Sequence, residues 1–257
     1  MADWDPEDYA RFRGERLRPA LDLLRAVPDL PEGPLVDLGC GKGVMGPVLR
    51  ARLPGRFLVG ADASPAMLDA ARARGVYDTL AEADIARWAS DAAPALIFSN
   101  AALHWIPDHA ALLPRLAAML APGGVLAVQM PRQSDAPSHR LIREVAAAMF
   151  PERFRWSADR QPVAAAEAYH GMLHRLGRLD LWETVYFQDL APAAEGHPVR
   201  LFTQSTAARP VLERLNPEEQ ASFLTAYDAA LADPYPRGPD GGVLFPFRRL
   251  FLVLERA

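Results

Sequence analysis

A single cysteine, Cys40, stands in the 257 residues, so the chain can form no intrachain disulfide and no cysteine-rich metal site. No run of about 18 consecutive apolar residues interrupts it, which excludes a bilayer-spanning helix read from sequence. Basic runs are also missing, and the net charge is −4. That leaves no electrostatic footprint for nucleic acid. Lysine is confined to Lys42, a bias toward arginine. The opening Met1-Ala2-Asp3-Trp4-Asp5 is acidic where a signal peptide is basic, so the expected setting is the cytosol, with no membrane partner. No metal site is expected. What the chain does have is an apolar half and 23% charged residues, a balance that suits a well-buried core. The length fits one large α/β domain carrying an elaborated cap.

The first two-thirds alternate strand-like with helix-like segments, as in a parallel sheet covered on both faces. Strands are expected near 34–38, 56–61, 77–82, 95–99 and 124–130. Ser64 caps a helix with Pro65 in its first turn and Gly75 after its last. Another helix starts at Asp108, where Pro114 should remove a hydrogen bond and bend the axis, and Pro122-Gly123-Gly124 closes it. Beyond Met130, helical segments near 138–149, 164–176, 196–203 and 217–231 accompany two further strands, Trp182 to Phe187 and Phe247 to Leu254. Two closing strands after a parallel run predict an antiparallel edge. The fold expected is therefore a doubly wound, seven-stranded mixed sheet.

Val36-Asp37-Leu38-Gly39-Cys40-Gly41-Lys42-Gly43 reads as a strand that ends on an acid, turns through glycines and opens a helix. Gly60-Ala61-Asp62 places a second acid at the next strand tip and Ala83-Asp84-Ile85 a third. Glycines permit a sharp turn and close approach of the backbone to a nucleotide-like ligand. Gly41-Lys42-Gly43-Val44-Met45-Gly46 also fits G-x-G-x-x-G, a weak signal for a dinucleotide. No glycine stands five residues before Gly41, which rules out a phosphate loop. Asp37 tips the choice: a carboxylate attracts the sulfonium and ammonium of S-adenosyl-L-methionine and repels a pyrophosphate. Asp62 is suited to two ribose hydroxyls. Asp84 with Ile85 is suited to an adenine amino group and the ring face.

Over nearly its whole length the chain resembles the bacterial trans-aconitate methyltransferase family, of the class I S-adenosylmethionine-dependent enzymes. The resemblance is carried by Trp4-Asp5-Pro6 with Tyr9, Phe12, Glu15-Arg16 and Arg18-Pro19, by Val36 to Gly43, by Ser64 to Leu68 and by Glu82 to Ile85. It continues through Ser99-Asn100-Ala101, Leu103-His104-Trp105, Pro107-Asp108-His109 and Leu126 to Pro131. Late matches are Trp182-Glu183-Thr184, Arg209-Pro210 and Phe245 to Phe251. The chain departs from the family pattern at Lys42-Gly43-Val44-Met45-Gly46-Pro47, at Ala208 where leucine is usual and at Phe202 where tryptophan is common.

The resemblance implies a Rossmann-like class I methyltransferase domain over 1–257. It implies a helical cover over 1–30 and helical lid insertions at 132–180 and 190–240. It also implies methyl transfer to a carboxylate oxygen of a small polycarboxylic acid, trans-aconitate first; the alternatives are another small acid or metabolite as acceptor, or a non-catalytic protein that binds S-adenosylmethionine. A carboxylate nucleophile has a pKa near 4, is ionised at neutral pH and needs no general base. The cofactor-binding set is then Asp37, Gly39, Gly41, Gly43, Asp62, Asp84, Ile85, Asn100 and Arg16, with Trp4 and Tyr9 in the cover. Substrate carboxylates fall to Arg209 and to Arg248 or Arg249, because a guanidinium matches a carboxylate with two hydrogen bonds. Arg248 and Arg249 point to opposite faces of a strand, so only one of them can face the site, and Arg248 is the first choice. Trp105 donates to the reacting carboxylate, His104 is a second donor, and Gln129 lines the pocket.

Overall fold

The computed structural model describes residues 17–156, 163–204 and 206–257. Trp4, Tyr9 and Arg16, and with them most of the expected N-terminal cover, lie outside these residues. In chain order the elements begin with α1 (Arg18–Ala26), β1 (Leu35–Leu38), α2 (Gly46–Arg52), β2 (Leu58–Asp62), α3 (Pro65–Arg72), β3 (Thr79–Glu82) and β4 (Leu96–Asn100). A 3-10 turn (Leu103–Trp105), α4 (His109–Met119), β5 (Val125–Pro131), α5 (Pro137–Met149), α6 (Ala166–Leu173) and β6 (Gly177–Leu190) follow. The last elements are α7 (Pro198–Gln204), α8 (Arg209–Leu212), α9 (Pro217–Leu231) and β7 (Val243–Arg256).

The strands form one seven-stranded sheet in the order β3-β2-β1-β4-β5-β7-β6. β1 pairs in parallel with β2 and β4, β2 with β3, and β4 with β5, whereas β7 runs antiparallel to β5. The mixed sheet expected from sequence is thus present. β1, β4 and β5 are buried along nearly their whole length, which is why they read as near-continuous apolar runs. β6 and β7 extend well beyond the six and eight residues expected for them, to 14 residues each. In β6 exposed residues such as Arg178, Asp180 and Glu183 alternate with more covered ones. That alternation lowered the apolar signal at its ends.

Helix starts obey local chemistry. Ser64 accepts a hydrogen bond from the Met67 N–H at 3.4 Å, Asp108 accepts from Ala111 at 3.0 Å, and Asn216 with Glu219 forms a reciprocal capping box. α4 continues through Pro114.

The chain divides into two compact units. The first comprises residues up to Pro131, then Pro162–Thr184 and Arg249–Ala257, and the second comprises Arg132–Gln161 and Val185–Arg248. In the first, Leu126, Val128 and Leu252 of the sheet pack with Leu116 of α4 and with Tyr169 and Leu173 of α6. Those last two contacts explain why 162–184 belongs to the first unit, although most of it fell inside the insertion expected at 132–180. The second unit has its own core, in which Phe223, Tyr227 and Leu231 of α9 meet Ile142 and Ala146 of α5 and Phe245 of β7.

Candidate active site

The glycine loop leaves β1 through hydrogen bonds from the Gly39 and Cys40 N–H groups to the Ala61 carbonyl, at 2.8 and 3.0 Å. Gly39, Gly41 and Gly43 have φ of +77°, +54° and +70°, in the left-handed region that side chains disfavour. A Cβ on Gly39 would lie 2.3 Å from the Ala102 Cβ. One on Gly41 would meet nothing within 4 Å, so that stretch of backbone faces open space. The Lys42 side chain is exposed, and its carbonyl accepts from Arg74 Nε at 2.7 Å.

Asp62, at the end of β2, is fixed by two backbone donors: Gly41 N–H to Oδ2 and Ser64 N–H to Oδ1, both at 2.9 Å. Each oxygen retains a further lone pair for a hydroxyl donor. Asp84 follows β3, is exposed, and accepts from the Ala86 N–H at 2.9 Å, while Ile85 is buried beside Gly39. Asp37 lies within β1, just before the loop. Only 3% exposed, it accepts a 2.7 Å hydrogen bond from the Tyr77 hydroxyl. Burial pushes its carboxyl up to about 7 against the pull of Tyr77, and the nearby Asp62 charge adds to the rise. Burial and the charges of Asp37 and Asp62 push the Cys40 thiol up to about 12, so Cys40 is no nucleophile at neutral pH.

Polar groups without hydrogen-bond partners among the described residues gather toward the C-terminal ends of β4 and β5 and in the turn that follows β4. They are Asn100 Oδ1, His104 Nδ1 and both side-chain polar atoms of Gln129, which is fully buried. Asn100 and Gln129 are register partners on adjacent strands and so present their side chains to one face. Between Asn100 and the 3-10 turn, Ala101 adopts φ +51°, a strained state for a residue other than glycine and of a kind that clusters at functional sites. His104 and Trp105 have ring centroids 4.7 Å apart, and Trp105 is 70% exposed. Burial, then the Arg249 charge, then His109 hold the His104 imidazole down at about 4. At neutral pH it is an uncharged donor and acceptor. The turn itself is pinned by His109, whose Nε2–H donates to the Leu103 carbonyl at 2.8 Å while its Nδ1 accepts from the Tyr169 hydroxyl at 2.7 Å.

Arg249, opposite Pro131 in the β5–β7 register and 9% exposed, is the arginine beside His104. Arg248 is exposed, and as the next residue along the strand it points to the other face, so of the two it is Arg249 that lies beside His104. Arg209 lies in the second unit, on α8, where it is exposed and its Nε donates to Glu213 at 2.6 Å. The structure therefore brings together Asp37, Gly39, Gly41, Gly43, Asp62, Asp84, Ile85, Asn100, His104, Trp105, Gln129 and Arg249 in one compact unit. Tyr77, absent from the sequence reading, joins them through Asp37. Among the described residues no group of three or more His, Cys, Asp or Glu side chains is arranged to hold a metal ion, and no helix is long and apolar enough to cross a membrane.

The glycine turn, the fixed Asp62 carboxylate and the unpaired Asn100 oxygen fit a ribose-bearing cofactor. Residues 9–177 match the sequence profile of a methyltransferase domain. Among solved structures, a protein from Bacillus subtilis, YcgJ, superposes with a TM-score of 0.58 at 13% identity, over 93% of this chain and 99% of that one. Phosphoethanolamine N-methyltransferase 2 of Haemonchus contortus, bound to S-adenosylhomocysteine, gives 0.51 at 15% identity, over 93% of this chain and 52% of its own. Sheet order, glycine turn and domain match together define an S-adenosylmethionine-dependent methyltransferase of class I. Trans-aconitate 2-methyltransferase of Methylobacterium nodulans is 46% identical over 260 residues, covering 100% of this chain and 99% of its own. The Rhizobium meliloti enzyme of the same name is 40% identical, covering 98% of each. The chain belongs to the trans-aconitate 2-methyltransferase family.

Proposed function

We propose that this enzyme methylates one carboxylate of trans-aconitate, or of a closely related small polycarboxylate, to the monomethyl ester, and that it does so in the cytosol. The observation that carries this reading is the cluster of Asn100, His104 and Gln129, whose polar atoms Asn100 Oδ1, His104 Nδ1 and Gln129 Nε2 and Oε1 are buried and unpaired among the described residues, beside the guanidinium of Arg249. Leaving such groups unpaired costs about 1–3 kcal/mol each, a cost that a polar, anionic ligand would offset.

Bound S-adenosylmethionine supplies an electrophilic methyl carbon and a thioether leaving group. The chain's own task is orientation. Asp62 holds ribose hydroxyls, Asp84 and Ile85 take the adenine edge and face, and the Gly39–Gly43 backbone lets the ligand approach. Arg249 and Gln129 fix carboxylates that do not react, and Trp105 and neutral His104 donate to the one that does. The carboxylate is ionised before it binds, so no residue acts as a general base. Alignment of this kind supplies on the order of 7–11 kcal/mol.

The deciding experiment is transfer of labelled methyl from S-adenosylmethionine to a panel of di- and tricarboxylates, followed by mild base. Label on trans-aconitate that is released by base is the expected result. Label that survives base would reject a carboxyl ester, and label on another acid alone would reject trans-aconitate as the acceptor.

A further inference from the structure

Three glycines around the cofactor loop share one neighbour. A Cβ on Gly43 would lie 2.8 Å from the Tyr77 ring, one on Gly46 2.7 Å and one on Gly60 2.9 Å. All three distances are shorter than a real Cβ contact, so the Tyr77 ring fills the space that the three missing side chains leave. The hydroxyl at the end of this ring donates to Asp37 Oδ2 at 2.7 Å. Gly46 thus has a role in this chain that needs no dinucleotide: its bare backbone accommodates the tyrosine.

We propose that Tyr77 is a positioning residue of the methyl-donor site, holding Asp37 as an anion at the foot of the glycine loop so that the cationic donor is bound in preference to its uncharged-sulfur product. The proposal rests on the methyl-donor reading of the loop and is independent of the acceptor. S-adenosylmethionine carries a positive sulfonium that S-adenosylhomocysteine does not, so an anion nearby favours the first over the second. The ionisable groups facing Asp37 are Tyr77, Asp62 and Cys40. Asp62 opposes the anion by like charge, and Cys40 stays neutral at physiological pH. Tyr77 alone among them supports the anion, through a hydrogen bond to the charged form. Loss of the hydroxyl therefore moves the ionisation of Asp37 to higher pH.

The test is calorimetric titration of the full chain with S-adenosylmethionine and with S-adenosylhomocysteine from pH 6 to 9, no acceptor being present. Both affinities are first corrected for the measured titration of each free ligand's amino group, which the sulfonium makes more acidic in the donor than in the product. In the wild type the preference for the donor should grow about tenfold across the neutral range. Tyr77→Phe keeps the ring and should shift that rise to more alkaline pH, while Asp37→Asn should abolish it. An unshifted rise in Tyr77→Phe overturns the proposal, as does a rise that persists in Asp37→Asn. If Tyr77→Phe does not fold, wild type against Asp37→Asn decides, and a pH-independent wild-type ratio is fatal. Failure of either ligand to bind at all would reject the methyl-donor reading itself, an outcome separate from the acceptor assay.

Discussion

Asp37 is the residue at which stability and function pull apart. Its carboxyl ionises at about 7 in the folded protein and near 3.9 in an unfolded chain. A raised carboxyl binds its proton more tightly when folded, so its contribution to stability is complete below about pH 4 and is lost as pH rises to 7. Asp37→Asn, which has no charge to bury, should therefore outlast the wild type above pH 7 by up to about 4 kcal/mol in denaturant melts. That advantage should shrink toward zero near pH 4, and an advantage constant with pH would contradict the assignment. Arg249 supplies a second prediction at this scale. Arg249→Ala should raise the KM for a tricarboxylate by about 10- to 100-fold and leave the Kd of S-adenosylhomocysteine nearly unchanged. Arg248→Ala should leave both alone, and equal effects from the two variants would remove Arg249 from the acceptor end. The acids and glycines were legible because strand tips and turns constrain residue type locally. The choice between Arg248 and Arg249 was not, since it depends on which face of β7 meets the sheet's neighbours. Tyr77 was hidden for a similar reason: it lies 40 residues from the aspartate it binds.

At the scale of elements, the 3-10 turn that carries His104 and Trp105 owes its position to a helix distant in sequence. His109 bridges the turn's Leu103 carbonyl to the hydroxyl of Tyr169 on α6, and that hydroxyl also accepts from the Ala164 N–H at 3.2 Å. Tyr169→Phe strips a partner from two buried or half-buried groups at once and should cost about 1–3 kcal/mol, measured by equilibrium unfolding. The loss should come with a weaker response of acceptor KM to Trp105→Ala, because the turn is no longer held. A Tyr169→Phe variant as stable as the wild type would show that the bridge holds nothing. The sequence places a helix at 217–231, as observed, with Asn216 and Glu219 capping it and Phe223, Tyr227 and Leu231 buried. It left out the short α8 and the 3-10 turn, whose few residues carry no full period.

For the whole molecule, the parallel run and its antiparallel closure were readable from the alternation of strands and helices. The partition into units was not, because it follows from which core each insertion joins, and Tyr169 and Leu173 commit 162–184 to the first. The position of β7 between β5 and β6 also sets an order of events during synthesis. Residues up to Pro131 leave the ribosome with β1 to β5 complete, yet the strand that pairs with β5 from Val125 to Pro131 is the stretch Arg249 to Glu255. Until more than a hundred further residues have been made, β5 stands as an unpaired and strongly apolar edge, the kind of surface that invites association with other chains. The methyl-donor half of the site, built on β1, β2 and β3, can take shape early. If Arg249 holds the acceptor as proposed, the acceptor half waits for it, and a nascent chain would acquire the means to bind its cofactor before it could bind anything to methylate.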